Sequence, residues 1–71
     1  MNNAAMNARI ADVFAAIKAA PGSTAPHVQE ALGWRHLPVW EIEQLQAQGR
    51  IRRLANVPGV HCVDGRYEVA R

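Results

Sequence analysis

Gln48-Gly49-Arg50-Ile51-Arg52-Arg53 is the stretch on which the fold turns. Immediately upstream, Val39, Ile42 and Leu45 recur at every third position and so share one broad helical face. Gly49 supplies the left-handed residue that ends a helix. Downstream, apolar Ile51 sits among Arg50, Arg52 and Arg53, an alternation that reads as a strand with one face inward. A helix therefore stops at a glycine and the chain runs directly into an arginine-rich strand.

Working back toward the N-terminus, a first helix is predicted from about Ala4 to Ala19, capped by Asn2 or Asn3. Met6, Ile10, Val13, Phe14 and Ile17 follow the spacing of a buried stripe. Pro21-Gly22 stops it. Ser23 or Thr24 caps a second helix over about residues 24–32, where Pro26 is tolerated in the first turn. Val28, Ala31 and Leu32 form its expected core face. Gly33 ends it, Trp34-Arg35-His36 makes the turn with Trp34 folded over the core, and a third helix spans about residues 37–48.

Toward the C-terminus, Ile51–Ala55 reads as a strand, Asn56-Val57-Pro58-Gly59 as a turn, and Arg66–Ala70 as a second strand with Tyr67 and Val69 on one face. Asp64-Gly65 is a tight-turn dipeptide. It either starts the last strand or closes an extra hairpin between Val60–Val63 and Arg66–Val69. The expected class is α+β, with three helices followed by a β-hairpin, in a single domain over residues 1–71.

Composition narrows the function. With 71 residues, 49% of them apolar, the chain is long enough for one small core and too apolar for a disordered segment. Cys62 is the lone cysteine, which excludes an intrachain disulfide. No apolar run approaches the roughly 20 residues that cross a bilayer, and Met1-Asn2-Asn3-Ala4 lacks the features of a secretion signal. A cytoplasmic protein is expected. The net charge of +2 is unevenly spread. Residues 1–48 carry Arg9, Lys18 and Arg35 against Asp12, Glu30, Glu41 and Glu43, a net −1. Residues 49–71 carry five arginines against Asp64 and Glu68, a net +3. Arginine makes bidentate contacts with phosphate and guanine that lysine does not match.

Two segments carry a resemblance. Thr24-Ala25-Pro26-His27-Val28-Gln29-Glu30-Ala31-Leu32-Gly33-Trp34 is similar to the first helix and turn of a helix-turn-helix. Leu45-Gln46-Ala47-Gln48-Gly49-Arg50-Ile51-Arg52-Arg53 is similar to a helix end and first wing strand. In this order, across nearly the whole chain, they resemble the winged helix-turn-helix of bacterial and phage transcription regulators. The resemblance implies double-stranded DNA as partner, the third helix in the major groove and the hairpin on the backbone. Winged helices also serve as protein-docking modules. The chain departs from many of those regulators in one respect. Their core valine precedes the last core leucine by about two helical turns, whereas Val39 and Leu45 are six apart.

At about 100° per residue, an inward Val39, Ile42 and Leu45 turns Trp40, Glu43, Gln44 and Ala47 outward. Trp40 and Gln44 then face base edges, with Arg35, His36 and Leu37 at the leading end. Arg50, Arg52, Arg53 and Arg66 are the expected phosphate or minor-groove contacts. Each has a plainer alternative. The arginines also suit a solvated hairpin protected from aggregation, and Trp40 suits the core or a protein interface. Glu41 and Glu43 would repel phosphate; in a docking module anchored by Trp40 they would set charge complementarity. A homodimer would use the alanines of the first helix, Ala4, Ala5, Ala8, Ala11 and Ala15. Alternatively those alanines face the other two helices or simply favour helix formation. His27, His36, His61 and Cys62 are too scattered for a metal site. No nucleophile–base pair or phosphate loop is discernible, so neither catalysis nor a cofactor is expected.

Overall fold

The turn at Gly49 is a left-handed one, with φ of 70°. Around it the Gly49 N–H donates to the Gln46 carbonyl and the Arg50 N–H to the Leu45 carbonyl, both at 3.0 Å. That is a Schellman closure, which satisfies the last carbonyls of a helix and redirects the chain. Gly33 repeats it at φ 68°, with its own N–H on Glu30 and the Trp34 N–H on Gln29. These two glycines end two helices and turn the chain into the next segment.

The architecture comes from a computed structural model that describes residues 4–54 and 65–70. Helix α1 spans Ala4–Ala19, strand β1 Ser23–Thr24, α2 Ala25–Leu32, α3 Val39–Ala47, β2 Ile51–Arg53 and β3 Arg66–Val69. The result is a small α+β fold with three helices and a three-stranded antiparallel sheet in the order β1-β3-β2. Among the described residues no helix is long and apolar enough to cross a membrane. The expected caps Asn2 and Asn3, Ala55 at the end of the predicted first hairpin strand, the turn at 56–59, the extra-hairpin alternative across 60–63, and His61, Cys62 and Asp64 lie outside the described residues.

The helices fall within two residues of expectation, and α1 coincides with it. Thr24 caps α2, its hydroxyl oxygen accepting from the His27 N–H at 3.3 Å, with Pro26 in the first turn. Strand β1 has no counterpart among the expected elements. Two residues are too short for a periodic signal, yet Ser23 pairs with Tyr67 and Thr24 with Arg66, and the Gly22 N–H donates to the Tyr67 carbonyl at 2.8 Å. Both hairpin strands are shorter than predicted. β2 ends at Arg53 and β3 at Val69, although Leu54 still donates to the Arg66 carbonyl and Ala70 to that of Arg50.

Ile10, Val13 and Ile17 of α1, Ala25 and Val28 of α2, Ile42 and Leu45 of α3, Ile51 of β2 and Tyr67 of β3 form the buried core. Phe14, Leu32, Trp34, Leu37 and Val69 pack against it from the rim. Three sequence expectations need correction. Met6 is exposed, one turn of α1 before the first buried residue, Ile10. Ala31 is exposed, and α2 buries Ala25 beside the expected Val28. The inward face of α3 is Pro38, Glu41, Ile42 and Leu45, with Val39 only half-buried. A three-residue spacing drifts by about 60° per step, so Val39 stands about 120° away from Leu45. Positions 38, 41, 42 and 45 hold the stripe that helical geometry requires.

Candidate functional site

The register fixes which arginines share a face. Ile51 opposes Val69, Arg52 opposes Glu68 and Arg53 opposes Tyr67. Directly opposed residues point to the same side of a sheet and neighbours along a strand to opposite sides. Ser23, Ile51, Arg53, Tyr67 and Val69 therefore face the helices. Thr24, Arg52, Arg66 and Glu68 face outward.

The four hairpin arginines thus do not form one patch. Arg52 is outward and highly exposed, and its guanidinium pairs with the Glu68 carboxylate across the strands. Arg66 is outward and exposed, with Nη1 donating to the Gly22 carbonyl at 3.2 Å. Arg50, expected beside Arg52, turns instead to α1, where its guanidinium carbon lies 4.4 Å from the centre of the Phe14 ring. A half-buried ring offers the cation its negative face and covers the arginine stem. Arg50 remains exposed and also donates from Nη1 to the Gln48 side chain at 3.4 Å. Arg53 lies half-buried on the inner side beside Tyr67. There the backbone of Gly65 is pressed closely. A Cβ at that position would stand 2.9 Å from Arg53 Nε and 2.9 Å from the Tyr67 hydroxyl.

On α3, Trp40 is 39% exposed, Glu43 and Ala47 are exposed and Gln44 is half-buried. Arg35 and His36 are exposed ahead of the helix, and Leu37 is half-buried against the core. His36 stacks on Trp34 with ring centres 5.2 Å apart and planes 21° from parallel. The Gln29 amide nitrogen donates to the Trp34 carbonyl at 3.2 Å, which ties this turn back to α2.

Glu41 is the clearest departure from expectation. Anticipated as a surface charge, it is 3% exposed. Its Oε2 accepts from Arg9 Nε of α1 at 3.2 Å. A buried carboxylate needs such a partner, since desolvation without one is severe. Sequence reasoning missed the pair, although a signal was present: Arg9 lies four residues before Val13 and Glu41 four before Leu45. Opposite charges in helical register with core residues on two helices are candidates for pairing. The pair floors an open cleft of about 560 Å³ between α1 and α3, lined also by His36, Leu37, Val39, Trp40 and Glu43. Glu43 makes no ion pair among the described residues.

The alanines Ala4, Ala5, Ala8, Ala11 and Ala15 are all exposed and face neither α2 nor α3. Compared with known proteins, the chain matches no family model, no curated protein and no solved structure.

Proposed function

We propose that this chain is a winged helix-turn-helix that binds double-stranded DNA in the cytoplasm of a bacterium or in phage infection, as a regulator of transcription. α3 enters the major groove and the outer sheet face rides the backbone. The observation that carries the reading is that Arg52 and Arg66 share the outward face of a sheet whose first hairpin strand begins four residues after α3 ends. A helix and a cationic strand pair set this close suit one groove and its flanking phosphates.

The internal contacts of these arginines do not oppose the reading. An exposed ion pair such as Arg52–Glu68 is worth about 0–1 kcal/mol, less than a phosphate contact with counterion release. Arg35 and Gln44 supply side chains that pair bidentately with guanine and adenine. The proposal includes no catalytic step, metal or cofactor.

The test is the Arg52→Ala/Arg66→Ala double variant, measured by anisotropy of a labelled duplex. Loss of two phosphate contacts reduces the log–log salt slope by about 1.8 and weakens binding about 10-fold or more at low salt. Unchanged affinity and slope overturn the sheet's role.

A second reading is a protein-docking module anchored by Trp40, favoured by that ring's exposure at the edge of the α1–α3 cleft. Large exposed aromatic rings beside a concavity are frequent interface anchors.

A further inference from the structure

We propose that the α1–α3 cleft receives an arginine or lysine side chain from a protein partner. The inference rests on the second reading, the docking module, and uses the same outward face of α3 that the DNA reading turns to the groove. Trp40 and Glu43 are three residues apart on α3, hence neighbours on the helix surface. Together they set an exposed aromatic face beside an exposed carboxylate that has no ion-pair partner among the described residues. An ammonium or guanidinium group is attracted by both, and tryptophan is the strongest aromatic acceptor of a cation.

The charge of the cleft decides the sign of the occupant. Glu41 and Arg9 neutralise each other at 3.2 Å, which leaves Glu43 as the carboxylate of the cleft without an ion-pair partner among the described residues, with His36 the other ionisable side chain of the lining. The chain as a whole is +2; Arg52 and Arg66 lie on the outward sheet face, while exposed Arg35 precedes α3. An anionic partner is drawn to the sheet; a cationic side chain finds its complement here. Half-buried Leu37 and Val39 line the same wall and suit the methylene stem of a long cationic residue. A volume of about 560 Å³ accommodates one such side chain with its flanking backbone.

The experiment titrates this protein, without DNA, into two fluorescein-labelled pentapeptides read by anisotropy. One alternates glycine with two arginines; the other replaces the arginines with glutamates. The expected result is binding of the arginine peptide alone, weakened about 3- to 5-fold by Glu43→Gln, the size of one partly exposed charge contact. Trp40→Ala weakens it about 10-fold or more, since it removes the cation–π partner. Should Trp40→Ala fail to fold, Glu43→Gln, a change at an exposed side chain, decides the matter alone. Equal binding of both peptides, lost in Trp40→Ala, overturns the cationic chemistry while leaving the docking face standing. Arginine-peptide binding that neither variant changes, or no binding, overturns the site. Concentration-dependent mass in sedimentation, abolished by Glu43→Gln, assigns the cleft to a second copy of this chain and overturns a foreign partner.

Discussion

Replacing Arg9 with methionine tests whether the Arg9–Glu41 pair holds α1 to α3. The substitution keeps much of the side-chain stem and removes the charge, leaving a carboxylate whose side chain is 5% exposed without its partner. Breaking a fully buried pair destabilises by about 3–5 kcal/mol. Arg9 is 43% exposed on its side chain, so water reaches one partner and the expected loss falls to about 1–3 kcal/mol. For a domain of this size, with a total stability of about 4–10 kcal/mol, that is a large fraction. It corresponds to about 4–8 °C in Tm for each kcal/mol. Adding Glu41→Leu to Arg9→Met replaces the pair by apolar groups, which is often neutral or stabilising. The double variant is therefore expected to recover to within about 1 kcal/mol of the native protein. Urea unfolding of all four members of the cycle, followed by far-UV circular dichroism, gives the coupling directly. A loss below about 0.5 kcal/mol for Arg9→Met, with additive effects in the cycle, would refute the reasoning. The α1–α3 contact would then be the work of Ile10, Val13, Ile42 and Leu45 alone.

Two glycines separate steric from conformational demand. Gly65→Ala places a methyl against Arg53 and fully buried Tyr67 and should lower the urea midpoint by the equivalent of about 1–3 kcal/mol. Gly49→Ala meets nothing within 4 Å, so only the left-handed backbone opposes it and about 1 kcal/mol is expected. Glu68→Gln releases Arg52 and removes an anion from the outward sheet face; duplex affinity at low salt should rise about 2- to 5-fold by anisotropy. A fall in affinity would mean that Glu68 orients Arg52 for its contact.

The helices are legible in the sequence because each carries its own boundary signals. Pro21-Gly22, Thr24 with Pro26, Gly33 and Gly49 act through local backbone chemistry, and each sits where the sequence places it. Ile10, Val13, Ile17, Ile42 and Leu45 are legible through periodicity. Features that depend on a partner far along the chain are not. β1 exists because Ser23 and Thr24 find Tyr67 and Arg66, more than forty residues on. Glu41 is inward because Arg9 answers it from another helix, and a hydrophobic pattern treats a glutamate as surface. Arg50 leaves the sheet face because Phe14 of α1 lies beside it, while strand alternation alone pairs it with Arg52. Only the register places Arg53, setting it opposite Tyr67 on the inner side. The outward face of α3 agrees with expectation at Trp40, Glu43 and Ala47, since the helix shifts by less than the width of its stripe.

The most direct measurement is the anisotropy of a labelled random-sequence duplex titrated with this protein across a salt series. Binding through Arg52 and Arg66, with or without a third contact from Arg35, neutralises two or three phosphates. The expected slope of log affinity against log salt is then about −1.8 to −2.7. Absence of binding at low salt, or an affinity that salt does not change, contradicts the account.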